Sequence, residues 1–296
     1  MTRILGAHTI DNGGIHMALR RAAAAKMTAV QLFTAPPKFY GDKSSVRAER
    51  VARFGKALEE SGIQPENVMA HAAYVLNLAT ADDGKWARSS AGLAKELERS
   101  TALGIGLVCF HPGAAGDGDR KSATRRVAKA LTAALKAVPG KTRLLVENSA
   151  GAGSTVGRTA EEVGEILRNI PDSLRERTGY GLDTCHLFVS GHDIARARSA
   201  LDEVLEDFER ETGESPSFFH FNDSEGALGS NKDRHVLIGD GTIGVDPFRW
   251  LMQDRRTRDI PLILETPQQH YEIAEDDASP DPYDLKMMEL LRSLER

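Results

Sequence analysis

The sequence predicts an α/β chain folded as a single (β/α)8 TIM barrel over residues 1–296, and three observations carry that expectation. Short strand-like runs alternate with longer helical patterns; strand ends near residues 71, 111, 147, 183 and 220 lie 40, 36, 36 and 37 residues apart; and no Pro/Ser-rich linker interrupts them. A spacing of that size suits one βα unit with a generous loop. Eight parallel strands with right-handed helical crossovers close most simply into a barrel. An open doubly wound sheet would place a Gly-rich phosphate loop after its first strand, and "GAHTIDNGG" is not GxGxxG.

The candidate strands are 3–8, 27–33, 67–71, 107–111, 143–147, 180–183, 217–222 and 260–265, each a short apolar run of the kind a buried parallel strand requires. Between them lie segments such as "SSVRAERVARFGKALEESG" and "SATRRVAKALTAALKAV". Their apolar positions recur at three and four and their outer positions are charged, the pattern of a helix with one face on a core. The stretch 223–246, "DSEGALGSNKDRHVLIGDGTIGVD", is too long and Gly-rich for a routine connection. Long ordered loops in compact barrels are usually functional.

A chain of 296 residues with 41% hydrophobic content can bury a sizeable core without staples. Cys109 and Cys185 sit in apolar contexts without CxxC spacing, so neither a disulfide framework nor a zinc knuckle is expected, and a reducing cytoplasm fits best. The first residues lack the basic-then-apolar pattern of a signal peptide and no eighteen apolar residues run together, so no membrane partner is expected. A net charge of -5 argues against gripping nucleic acid with the whole surface, while leaving room for a local positive site. Basic groups such as Arg125/Arg126 and Arg255/Arg256/Arg258 read as solvated helix faces.

The last residues of the eight strands read His8, Phe33, His71, His111, Glu147, Asp183, His220 (two before its end) and Glu265. A lone histidine at a strand end is more often a hydrogen-bonded packing residue, and a lone Asp more often a helix cap. In a barrel, however, these ends converge on one mouth, where unpaired acids and imidazoles would carry a large desolvation and repulsion penalty. Divalent cations remove it. To the six acid and imidazole ends from His71 onward, His186 and the Asp233/His235 pair in "NKDRHVLIG" add three candidates beside the same mouth, making nine. Imidazole nitrogen and carboxylate oxygen without thiolate suit Zn2+ or Mn2+ better than Ca2+ or Mg2+. Nine ligands with one bridging carboxylate suffice for three ions, and an open multi-metal site is apparatus for displacement at phosphorus.

At this point the chain resembles the endonuclease IV family of zinc-dependent apurinic/apyrimidinic (AP) endonucleases. The likeness is carried by "HAAYVLNLA", "FHPGAAG", "LLVENSAGAGSTVG", "GLDTCHLFVSGHD", "FHFNDSEGALGSNKDRHVLIGDGTIG", "FRWLMQD" and "PLILETP". The resemblance implies that His71, His111 and Glu147 hold one zinc, Glu147, Asp183, His220 and Glu265 a second, and His186, Asp233 and His235 a third, with Glu147 bridging. It implies hydrolysis of the phosphodiester 5′ to an abasic site in duplex DNA, leaving a 3′-hydroxyl, with Glu265 near the attacking oxygen. Asn222 and Asp223 resemble residues that orient ligands.

Where family members commonly carry an Asn-x-Arg-x-Trp-like stretch, this chain reads "FTAPPKFY", with Lys38 in place of the Arg and Tyr40 in place of the Trp. Lysine lacks the planar fork of arginine, so DNA probing is expected to differ. Tyr74 matches a family tyrosine that enters the DNA stack, work an aromatic ring can do. A monomer is expected. Two other readings fit parts of the pattern. A metal-dependent sugar isomerase or epimerase would use strand-end acids and histidines, but often a lysine that "VENS" does not supply, and it would leave Asp233/His235 without purpose. A non-cleaving binder of damaged DNA would accommodate "APPKFY".

Overall fold

In the computed structural model, which describes residues 3–295 apart from Asp42 and Ser44, eight parallel strands close into a barrel. They are β1 (Ile4–His8), β2 (Ala29–Leu32), β3 (Val68–His71), β4 (Leu107–Phe110), β5 (Arg143–Glu147), β6 (Thr178–Asp183), β7 (Phe219–His220) and β10 (Pro261–Leu264). A small antiparallel pair, β8 (Asp223–Ser224) and β9 (His235–Val236), stands outside the barrel. The barrel order is β1-β10-β7-β6-β5-β4-β3-β2, so each strand lies beside its sequence neighbour and β10 closes on β1.

Helices occupy the connections: α1 (Ile15–Ala24), α2 (Ala48–Ser61), α3 (Asp83–Leu103), α4 (Arg120–Ala137), α5 (Ala160–Arg168), α6 (Asp172–Arg175), α7 (Thr184–Val189), α8 (Arg198–Thr212), α9 (Asp246–Gln253) and α10 (Pro282–Leu294). Local chemistry fixes where several begin. Asp82, Asp119, Thr159 and Asp281 cap α3, α4, α5 and α10 through side-chain oxygens that accept first-turn backbone N–H groups.

The strands match the predicted ones to within a few residues, and the differences have a cause. The expected 217–222 strand pairs only at Phe219–His220, because the chain then turns outward into the β8/β9 excursion. His111 and Glu265 lie one residue past the ends of β4 and β10. The large core fills the layer between barrel and helices, while Met69, Leu107, Cys109, Leu145 and Phe218 form a separate plug inside the barrel. Gly181 on β6 makes room for that plug, since a Cβ there would come within 2.0 Å of the Phe218 ring. With the lower interior sealed by apolar groups, polar side chains collect at the C-terminal mouth, where barrel chemistry is found.

No helix among the described residues is long and apolar enough to cross a membrane.

Candidate metal centre

Parallel pairing puts the C-terminal ends of all eight strands on one side, and the side chains there crowd together. Donor atoms of His71, His111 and Glu147 lie within 4.8 Å of one another, as do those of Glu147, Asp183, His220 and Glu265, and those of Asp183, His186 and His235. Asp233 joins the last group, its Oδ2 being 3.2 Å from His186 Nε2 and its Oδ1 3.0 Å from His235 Nε2. All nine predicted side chains therefore converge. Asp183 takes part in two groups rather than one, because its carboxylate lies between His220 and His235, 3.9 and 3.7 Å from their facing nitrogens.

The orientation of the imidazoles says what could fill the centre. His71 Nδ1 lies 2.7 Å from the Ala72 carbonyl, His186 Nδ1 2.8 Å from the Asn148 carbonyl and His235 Nδ1 3.3 Å from the Glu265 carbonyl. His220 uses its other nitrogen, with Nε2 2.7 Å from Gln31 Oε1. Carbonyl oxygens only accept, so each outer nitrogen carries a proton and the inner nitrogen is the one that faces the cluster and can bind a cation. The inward nitrogens, and His111 Nε2 beside them, meet carboxylate oxygens: His71 Nε2 and His111 Nε2 are 3.3 and 3.2 Å from Glu147 Oε2, and His220 Nδ1 is 2.8 Å from Glu147 Oε1. Lone pair against lone pair requires a cation between them, either a proton or a metal ion.

Two orphaned atoms favour the metal. Glu147 Oε2 and His235 Nε2 are buried and make no well-formed hydrogen bond among the described residues, although His71 and His111 nitrogens lie 3.3 and 3.2 Å from the first and Asp233 Oδ1 3.0 Å from the second, and each belongs to one of the donor groups. A mixed N/O donor set of this kind fits borderline divalent ions. Without them protons take the same positions. Burial opposes charging His220, but the carboxylates of Glu265 and Glu147 outweigh it and raise its pKa to about 9; against the same burial, His71 is raised by Glu147, and His186 and His235 by Asp183 and Asp233. Burial likewise pushes Glu147 up, yet His220 and His111 hold it well below the carboxylate range.

A groove of about 320 Å³ lined by Tyr74, Asn77, His111, Ser149, His186 and Asp233 opens beside the cluster. A larger cavity of about 570 Å³, lined by Thr142, Arg143, Ser217 and Asp259, lies at the opposite end of the barrel and is remote from this chemistry.

Residues 19–293 match the family model described as a xylose isomerase-like TIM barrel. The chain is 36% identical over 299 residues to the probable endonuclease 4 of Geobacter sulfurreducens, covering 100% of this chain and 96% of that protein. It superposes on endonuclease IV from Thermus thermophilus with a TM-score of 0.80 at 31% identity, covering 99% and 98% of the two chains. The chain belongs to the endonuclease IV family. It is an enzyme of the endonuclease class. A D-tagatose 3-epimerase-like protein, at 14% identity and a TM-score of 0.72 over 99% of this chain and 97% of that one, shares the fold alone.

Within this endonuclease IV chain, the two adjacent residues expected to orient ligands part company. Asn222 reaches the candidate ligands, donating from Nδ2 to Asp183 Oδ2 at 2.6 Å while its Oδ1 accepts from Glu265 N at 2.8 Å. Asp223 does not. Its carboxylate turns away and accepts the backbone N–H groups of Ser224, Gly239, Gly241 and Ile243, which ties the 223–246 excursion into a fixed shape. Cys185 is packed in the core as expected, yet its sulfur also lies within 4.8 Å of donor atoms of Asp233 and His235.

Gln31 and Asn148 were missed. Asn148 supplies the carbonyl to His186 and its Oδ1 accepts from Asp183 N at 2.6 Å. The available signal for Gln31 was a single amide inside the apolar run "AVQLF". Tyr74, 55% exposed, stands at the rim with its ring edge-on to Phe33 and His71. Lys38 is exposed on the loop after β2 and makes no ion pair among the described residues, while Tyr40 lies under the Arg88 guanidinium at 4.3 Å.

Proposed function

We propose that this endonuclease acts on duplex DNA at abasic sites, hydrolysing the phosphodiester 5′ to the lesion and leaving a 3′-hydroxyl, with three divalent ions at the barrel mouth. The observation that carries the reading is the set of inward-facing ring nitrogens of His71, His186, His220 and His235 set against carboxylates, with Glu147 Oε2 buried among them and making no well-formed hydrogen bond. His71, His111 and Glu147 would hold one ion, Glu147, Asp183, His220 and Glu265 a second, and His186, Asp233 and His235 the third, Asp183 being close enough to share it. Zinc is the expected ion, with manganese at one or more positions. When bound, such ions activate water and neutralise charge on a phosphodiester.

The chain's own residues would do the rest. Glu265, whose Oε1 accepts from Gln31 Nε2 at 2.5 Å, would orient the attacking water and keep its carboxylate ionised, its pKa being pulled down to about 2 chiefly by His220 against the opposing effect of burial. Tyr74 would stack against an unpaired base and Lys38 would meet a phosphate. The reading includes a monomer in the cytoplasm. The test is a labelled duplex with one abasic site beside an intact control, with metal content measured on the same sample. A chelator-sensitive nick confined to the abasic strand is expected. Full cutting after exhaustive chelation, or about one or two manganese ions with sugar isomerisation instead, would overturn the reading.

A further inference from the structure

Gln31 is fully buried inside the barrel, beneath the metal centre, and every hydrogen-bonding capacity of its amide is used. Nε2 donates to Glu265 Oε1 at 2.5 Å and lies 3.1 Å from His8 Nδ1. Oε1 lies 2.7 Å from His220 Nε2 and accepts from Cys109 Sγ at 3.7 Å. The two ends of an amide are distinguished by their partners, and here only one assignment works. Reversed, the amide would set its oxygen against the Glu265 carboxylate, which only accepts, so that contact fixes the NH2 end and leaves the oxygen facing His220 Nε2. His8, stacked at a tilt against Phe33 and with its pKa lowered to about 4 by burial, accepts the second amide hydrogen as a neutral ring.

We infer that Gln31 is a positioning residue that fixes the tautomer of His220 and the pose of Glu265 at once. By accepting from Nε2–H it forces His220 to present Nδ1 to the cluster, the reverse of His71, His186 and His235, which present Nε2. By donating to Glu265 Oε1 it leaves Oε2 as the oxygen facing His220 Nδ1, at 3.4 Å. One side chain therefore sets two members of the group formed with Glu147 and Asp183, from strand β2, which contributes none of the nine candidate ligands. The metal-related part of this inference rests on the function proposed above.

The test uses the zinc-loaded protein. In selectively 15N-histidine-labelled wild-type protein, His220 should give a slowly exchanging Nε2–H signal, identified by its loss in His220→Asn. Gln31→Leu should abolish that signal and weaken one ion of the set, and only one, by about ten- to hundredfold in chelator competition. Gln31→Glu keeps an acceptor for His220 but opposes one carboxylate to another at Glu265. It should keep the Nε2–H signal while lowering kcat on abasic DNA with little change in KM. The Glu variant also covers the case in which the Leu variant fails to fold. An unchanged Nε2–H signal and unchanged metal affinity in Gln31→Leu would overturn the inference while leaving the endonuclease reading intact. A wild-type protein that takes up no divalent metal would overturn both.

Discussion

Asn222 donates from Nδ2 to Asp183 Oδ2 over 2.6 Å, and through the other end of the same amide it holds the backbone of Glu265. One neutral side chain thus couples the end of β6 to the end of β10 across the barrel mouth. Asn222→Ala should lower divalent-metal affinity by about ten- to hundredfold and destabilise the fold by about 1–3 kcal/mol through the buried groups left unpaired. Chelator competition and thermal melting check the two effects, and wild-type affinity in the variant would contradict the coupling.

Glu265→Gln separates charge from shape. The amide oxygen can still accept from Gln31 Nε2, so the fold should survive with an unchanged melting temperature. The carboxylate that would order the attacking water is gone. Nicking of abasic duplex should fall by orders of magnitude in single-turnover assays, and near wild-type rates would count against its role.

At the rim the expected effects are on binding. Tyr74→Ala should weaken abasic-duplex binding by about 1–3 kcal/mol, the contribution of one stacked base. Lys38→Ala should weaken it uniformly across sequences and reduce the slope of log K against log salt by about one. Titrations at several salt concentrations measure both; a Lys38 variant with the wild-type slope has no phosphate contact.

A pH effect is expected away from the mouth. Asp284 on α10 is buried, which raises its carboxyl to about 7 despite the hydrogen bond it accepts from Gln268 Nε2 at 2.9 Å. Because the folded value exceeds the unfolded one, the contribution is full below about pH 4 and lost as pH rises through about 7. Asp284→Asn keeps the acceptor and removes the ionisation. It should therefore be more stable than wild type at pH 8, by up to about 4 kcal/mol, with the difference vanishing towards acid. Equal melting curves at pH 8 would show that the carboxyl ionises without penalty.

The barrel was legible because it is written in periodicity, and the donor side chains because acids and imidazoles at the ends of apolar strands have few innocuous explanations. His71, Glu147 and Asp183 each close such a run. Less legible were groups whose meaning depends on which atom faces which. Asn222 and Asp223 are adjacent and chemically alike in outline, yet one turns to the ligands and the other to a loop. That difference arises where the strand leaves the barrel, after β7, and no spacing rule encodes it. Gln31 was hidden for a related reason: its partners lie 23, 78, 189 and 234 residues away.

Asp223, with four backbone N–H groups on one carboxylate, has a consequence for how ions come and go. The excursion that carries Asp233 and His235 is cinched at its base by the protein itself, so its ordering entropy is met during folding and not at the moment of ion capture. Under the proposed function, an outer ion held by that arm would be a replaceable part: it could leave and be reloaded while the arm kept its shape, whereas ions held against Glu147 would be enclosed by the barrel wall.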